Sequence, residues 1–156
     1  MSPAEEDLLR LTFQQANLAR EHGNHPFGAI LVDADGHPFV AAENSVITEN
    51  DVTAHAELNL IRAATKKYKA EQLASCTLYS SAEPCPMCAG AIVWGNIRRV
   101  VFGLGMDTLY GLAGDMGEAP SIKLHSRSVF EHAPWPIEVI GPVMEKEALI
   151  PHKDFW

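Results

Sequence analysis

Basic charge is scarce in this sequence of 156 residues: 12 Lys and Arg stand against 20 Asp and Glu, for a formal net charge of −8. Nucleic-acid binders draw much of their affinity from a basic face that neutralises phosphates, so that class is disfavoured. The densest basic groups, Lys66-Lys67-Tyr68-Lys69 and Arg98-Arg99, are short enough to be solvated edges of a fold. Long apolar runs are missing as well, and none approaches the roughly 18–20 residues of a membrane span. The opening residues read as an acidic amphipathic helix rather than a secretory signal, since no basic segment precedes an apolar one. Cysteine is limited to three residues, which cannot all be paired with one another, and two of them stand in a C-x-x-C. That usage suits a reducing cytoplasm better than a disulfide scaffold. Cys76, in Cys76-Thr-Leu-Tyr79, reads as a buried strand residue. The expectation is a cytoplasmic protein, not membrane-bound, that handles a small uncharged molecule rather than a nucleic acid.

What is present organises as one domain over residues 1–156, long enough to bury a core without disulfides. Ser2-Pro3-Ala4-Glu5 combines an N-cap serine, a proline at the first helical position and a glutamate that closes a capping box. Leu8, Leu9, Leu11, Phe13, Ala16 and Leu18 supply the apolar residues of that helix, and Gly23 ends it. Residues 27–33 and 38–43 read as strands joined around Asp35-Gly36, a hairpin signal. A helix is expected from about Thr53 to Lys67, a strand over 76–81, and a helix from Cys85 ending at Gly95. Further strands are expected over 99–104 and 137–143, the last broken by Gly141 and Pro142. The order β-β-α-β-α-β, with helices at both ends, argues for one mixed sheet between helices.

Two short motifs carry the chemistry. His55-Ala56-Glu57 lies near the start of one expected helix, and Pro84-Cys85-Pro86-Met87-Cys88 opens another. Residues three apart in a first helical turn share a face, and helix N-termini favour thiolates. One imidazole and two thiolates are three tetrahedral zinc ligands, a set that leaves a fourth position for water. Alone, a C-x-x-C could equally be a redox pair or half of a structural zinc site. A redox pair has no need of His55-Ala56-Glu57, and a closed site needs a fourth ligand that no further Cys-x-x-Cys or close His pair provides. His55, Cys85 and Cys88 are therefore the expected ligands of a catalytic Zn2+, with Glu57 as its proton carrier. Glu57 would take a proton from the attacking water and hand it on as the reaction proceeds. Backbone N–H groups at the start of the Cys85 helix could hydrogen-bond the developing oxygen.

H-x-E followed by P-C-x-x-C is the signature of zinc deaminases, and the chain resembles the cytidine deaminase-like superfamily. Within it, the resemblance is to the branch of bacterial guanine deaminases and tRNA adenosine deaminases. It rests on His25-Pro-Phe-Gly-Ala-Ile-Leu-Val32, Asn50-Asp-Val-Thr-Ala-His-Ala-Glu57, Thr77-Leu-Tyr79, Glu83-Pro-Cys-Pro-Met-Cys-Ala-Gly-Ala-Ile92 and Arg99-Val-Val-Phe-Gly103. The resemblance implies a three-layer α/β/α sandwich around a five-stranded mixed sheet, and a homodimer. Pro26-Phe27-Gly28 and the Glu83–Cys88 motif look like guanine deaminases, whereas Arg99-Val-Val-Phe-Gly103 looks more like the tRNA enzymes. With acidic charge against RNA, the leading expectation is guanine to xanthine plus ammonia, in purine catabolism. The alternatives are a cytosine or other aminopyrimidine, a triazine or a nucleoside, and, less favoured, adenosine in tRNA.

By the same resemblance, candidate substrate contacts are Asn44, Phe27, Ala56, Asp115 and Trp156. Asn44 ends the second strand where the family places a base-binding asparagine, and it could instead simply close a turn. Phe27 could stack on a base or pack in the core. Asp115 falls near the position of a base-contacting acid, with Asp107 an equal contender, because residues 106–119 depart from the family pattern. Trp156, with Phe155, could close over a flat base or merely dock on the surface. His22, His25, His125, His132 and His152 carry no spacing that singles them out.

Overall fold

The computed structural model describes residues 1–114 and 122–156. In chain order the elements are α1 (Pro3–Glu21), β1 (Gly28–Val32), β2 (Pro38–Glu43), α2 (Val46–Glu49), α3 (Ala56–Lys67), α4 (Ala70–Leu73) and β3 (Thr77–Ala82). There follow α5 (Pro86–Trp94), β4 (Arg99–Leu104), α6 (Met106–Ala113), α7 (Ser126–Phe130), β5 (Glu138–Ile140), α8 (Glu145–Ala148) and a 3-10 turn over Ile150–His152. Among the described residues no helix is long and apolar enough to cross a membrane.

The strands form one five-stranded mixed sheet in the order β2-β1-β3-β4-β5. β1 runs antiparallel to β2 and β3, while β3, β4 and β5 are parallel. Side chains alternate across a strand, and β1 shows the result: Ala29 and Leu31 face one apolar cluster, Ile30 and Val32 the other. The first cluster takes in Leu60 and Ala64 of α3, Ala89 and Ile92 of α5, and Phe130 of α7. The second takes in Leu9 and Phe13 of α1, Leu109 of α6 and Ala148 of α8. Helices cover both faces, which is the expected α/β/α sandwich.

Local sequence accounts for the main boundaries. Ser2 Oγ accepts from the Glu5 N–H (3.2 Å) and the Ser2 N–H donates to Glu5 Oε2 (2.8 Å), completing the capping box that starts α1. Asp33 Oδ1 accepts from the Asp35 and His37 N–H groups, both at 2.9 Å, and closes the β1–β2 hairpin through Gly36 at φ +88°. Two boundaries differ from expectation by more than one residue. α3 begins at Ala56 rather than Thr53, because Thr53 is taken into a turn by Asp51, whose Oδ1 accepts from its N–H (2.8 Å) and hydroxyl (2.7 Å). β5 has only three residues, because Gly141, at φ +152°, turns the chain away against the Phe102 ring. α2, α4, α6, α7 and α8 are found in addition to the expected elements.

Gly28 permits a close approach of helix to strand. A Cβ there would collide with Gln15 Cβ and lie 2.5 Å from the Thr12 carbonyl oxygen, so α1 rests directly on the start of β1. Gly28→Ala is expected to destabilise the protein by about 1–3 kcal/mol, the usual cost of overpacking. At about 2–4 °C per kcal/mol, a thermal melt resolves that loss readily.

Candidate active site

The parallel strands β3 and β4 end side by side, with Ala82 paired to Leu104, and the site is assembled beyond those ends. Cys85 is the N-cap of α5, and Pro86 and Cys88 fall in its first turn. His55 is the N-cap of α3, with Ala56 and Glu57 in its first turn. The mouths of two helices thus meet, each carrying unpaired N–H groups and partial positive charge.

His55 Nδ1 lies 3.6 Å from Cys85 Sγ and 3.6 Å from Cys88 Sγ. Tetrahedral zinc with bonds of about 2.0–2.1 Å to nitrogen and 2.3 Å to sulfur requires N···S edges of about 3.6 Å. All three donor atoms fall within 4.8 Å of one another, so the residues fit the ion. The Cys85 thiol is lowered to about 4, first by its hydrogen bond with the Cys88 thiol and then by His55 and the Cys88 N–H, against burial. Cys88 moves well upward, through the same hydrogen bond and through burial. His55 is raised, chiefly by its hydrogen bond to Cys85. The two thiols are thus pushed in opposite directions, and a dication held between them would favour the thiolate form of both.

Glu57 is 7% exposed. Its Oε1 accepts a hydrogen bond from Ser80 Oγ at 3.0 Å, and burial, followed by the charge of Cys85, raises its carboxyl above the ordinary range. Ser80 was not singled out in the sequence, because the pairing crosses 23 residues.

Glu83 is a second residue that sequence reasoning left unassigned. Buried directly after β3, its carboxylate accepts from the Met106 N–H (3.0 Å), the Ser126 N–H (2.9 Å) and the Ser126 hydroxyl (3.0 Å). Burial opposes its ionisation, yet these donors hold its carboxyl below the usual range. Glu83 ties the Cys85 loop to the starts of α6 and α7. His125 lies 3.3 Å from it and 3.4 Å from the exposed Asp107. Met106, Asp107, Tyr110, Gly111, Lys123 and His125 line a cavity of about 300 Å³. A larger one of about 580 Å³ lies by α7 and β5, around Trp135, and holds none of the metal-site residues.

The expected substrate contacts are placed as follows. Asn44 is 2% exposed; its N–H donates to the Phe27 carbonyl (3.0 Å) and its Oδ1 accepts from the Val46 N–H (3.1 Å), so both backbone and amide are held. Ala56 is fully buried in the first turn of α3. Asp107 points into solvent toward His125, and Asp115 lies outside the described residues. Trp156, 37% exposed, folds back onto its own chain: its ring stacks on His25 (5.8 Å, 24°) and on His152 (6.0 Å, 18°) and lies 6.2 Å from Phe27. Trp156 Nε1 donates to His152 Nδ1 at 3.0 Å. His25 is close enough to the metal ligands that the charge of His55, after burial, lowers its pKa. The histidines read as ordinary thus include two, His25 and His152, that stack on Trp156, and a third, His125, that lies against Glu83.

Comparison with known proteins gives a consistent picture. The family profile "Cytidine and deoxycytidylate deaminase zinc-binding region" matches residues 2–104. A Schizosaccharomyces pombe protein named "Probable cytosine deaminase" is 45% identical over 155 residues, 98% of this chain and 94% of that one. The guanine deaminase of Bacillus subtilis is 51% identical, but over 77 residues, 49% of each chain. A solved structure from a study of tRNA:A34 deaminases superposes with a TM-score of 0.74 at 30% identity, covering 94% of this chain and 99% of that one.

Proposed function

The chain belongs to the cytidine and deoxycytidylate deaminase zinc-binding family, a family of hydrolytic enzymes, and from that premise we propose that it deaminates a free nucleobase, cytosine ahead of guanine. The observation that supports a flat, free base is the aromatic group of His25, Phe27, His152 and Trp156, which adjoins Asn44 through the Phe27 carbonyl and, through the Ser45–Ala54 backbone bond, the residue before His55. Cytosine takes precedence over the guanine expected from the motifs because the likeness to the S. pombe protein runs nearly end to end. The guanine deaminase likeness stops at half the chain, and identity outside the metal motifs is what bears on the base.

In this reading His55, Cys85 and Cys88 hold the zinc. When bound, the ion lowers the pKa of a coordinated water toward about 7. Glu57 takes a proton from the attacking water and delivers it to the ring nitrogen next to the amine-bearing carbon. Ser80 Oγ holds Oε1, which keeps the carboxylate in one orientation for both transfers. Once the C–O bond has formed, Glu57 takes the remaining proton of the new hydroxyl and passes it to the exocyclic amine; the C–O bond becomes a carbonyl as the C–N bond breaks and ammonia leaves. The Asn44 amide, oriented by the Val46 N–H, presents its NH2 to a ring acceptor. Trp156 covers the exposed face of the base, and residues 1–156 act as one domain.

A second reading, adenosine in tRNA, is favoured by the superposition on the tRNA:A34 deaminase structure and opposed by the net charge of −8. Ammonia release measured on cytosine, guanine, adenine and an anticodon stem-loop separates them. Cytosine is expected to give the highest kcat/KM and the stem-loop no turnover at any salt concentration. Turnover of the stem-loop alone, weakening steeply with salt, would replace the free base by RNA.

A further inference from the structure

We propose that Arg20 is the latch that seats residues 150–156, and through them Trp156, over the base site: it is a positioning residue for substrate binding. The inference rests on the reading that Trp156 closes that site.

Arg20 lies in the last turn of α1. Its Nη1 donates to two strap carbonyls, Pro151 (2.9 Å) and Lys153 (2.6 Å), and its guanidinium carbon sits 5.4 Å from the centre of the Phe155 ring. Among the described residues it makes no ion pair with a carboxylate, unlike Arg10 and Arg99. Its charge is directed at backbone oxygens, and the two it holds bracket His152. A planar, always-charged group with several donors suits this task, and a lysine ammonium could not reproduce it.

The carbonyl clamp reaches Trp156 through His152. That imidazole is 1% exposed and packs edge-on against Phe27 at 5.3 Å. An indole N–H only donates, so the bond from Trp156 makes His152 Nδ1 the acceptor and leaves the proton of the neutral ring on Nε2. Asp154, at φ +56°, reverses the chain so that Phe155 and Trp156 return to His152. The Trp156 ring then reaches His25 and lies 6.2 Å from Phe27, whose carbonyl accepts from the Asn44 N–H (3.0 Å), while the next N–H, of Ser45, donates to Ala54 (2.9 Å), the residue before the metal ligand His55. A contiguous path of contacts therefore runs from Arg20, 18 residues into α1, to the wall of the site.

The test is a double-mutant cycle on the zinc-loaded enzyme, with the base it turns over fastest. Trp156→Ala and Arg20→Met are each expected to raise KM about tenfold with a much smaller change in kcat, the pattern of lost binding shared by ground and transition states. The double variant is expected to be no worse than Trp156→Ala alone, because both act through one element. Arg20→Lys is expected to fall between wild type and Arg20→Met. Hydrogen exchange gives a reading independent of activity. In Arg20→Met the Lys153 and Phe155 amides, bonded to Ile150 and His152, should exchange faster while β1, β3 and β4 stay protected. Multiplying KM effects in the double variant, an unchanged KM in Arg20→Met, or a general loss of protection across the sheet would each overturn the latch. If Trp156→Ala leaves KM unchanged in an active enzyme, the closing role of Trp156 fails first and the latch fails with it.

Discussion

Glu57→Gln is expected to lower kcat by about 10²–10⁴-fold, the usual contribution of a positioned proton carrier, while the protein keeps one zinc per chain. The substitution preserves size and leaves an amide oxygen that can still accept from Ser80 Oγ, so the local packing has no reason to change. It removes only the ability to take and return a proton. Glu57 is buried at the mouth of α3, two residues from His55, and no other carboxylate among the described residues shares that position. Glu83 is engaged elsewhere, accepting from Met106 and Ser126. Metal analysis and ammonia release on the same preparation decide the matter. Retained zinc with undiminished turnover would remove Glu57 from the mechanism, and lost zinc would make it a structural residue.

Cys88→Ala should abolish stoichiometric zinc and lower thermal stability in the same step. Cys88 is fully buried at the first turn of α5, where its sulfur closes the triangle with His55 and Cys85. A ligand present at a thousand times its dissociation constant stabilises the folded state by about 4 kcal/mol. Losing it corresponds to a fall of about 8–16 °C in melting temperature for a domain of this size. Cys76 provides the internal control. It is 5% exposed, its Sγ lies 3.3 Å from the Gln72 carbonyl, and it takes no part in the metal cluster. Cys76→Ala should therefore keep one zinc per chain. The opposite pattern, zinc lost with Cys76 and kept without Cys88, would place the metal elsewhere.

These residues were legible because their geometry is local. A histidine before one helix and a C-x-x-C opening another already put the donors on two helix mouths, and spacing along the chain says as much. The sheet was legible for a similar reason: β1 is buried along its whole length and reads as an unbroken apolar run, and the hairpin turn is written in Asp33, Asp35 and Gly36. What stayed hidden depends on partners far apart in sequence. Ser80 meets Glu57 across 23 residues, Ser126 meets Glu83 across 43, and Arg20 meets Lys153 across 133. Helices of four or five residues, such as α2, α7 and α8, are too short for a 3.6-residue period to emerge. His25 and His152 matter only because residues 150–156 fold back to meet Phe27.

The choice of base was hidden for a further reason. Discrimination between similar rings turns on which polar groups would be left unpaired, and that is decided by one or two side chains. Asp107, one contender, faces His125 and solvent rather than the metal ligands.

Every role proposed for the site depends on hydrolysis at the His55–Cys85–Cys88 centre. Its most direct test is turnover in ¹⁸O-labelled water by the zinc-loaded enzyme, with chelated protein beside it and cytosine as the first substrate. The expected result is one ¹⁸O in the new carbonyl of uracil and one ammonia per turnover, with the chelated protein inactive. Protein carrying one zinc per chain that releases no ammonia from any free base, or product formed without the label, would contradict it.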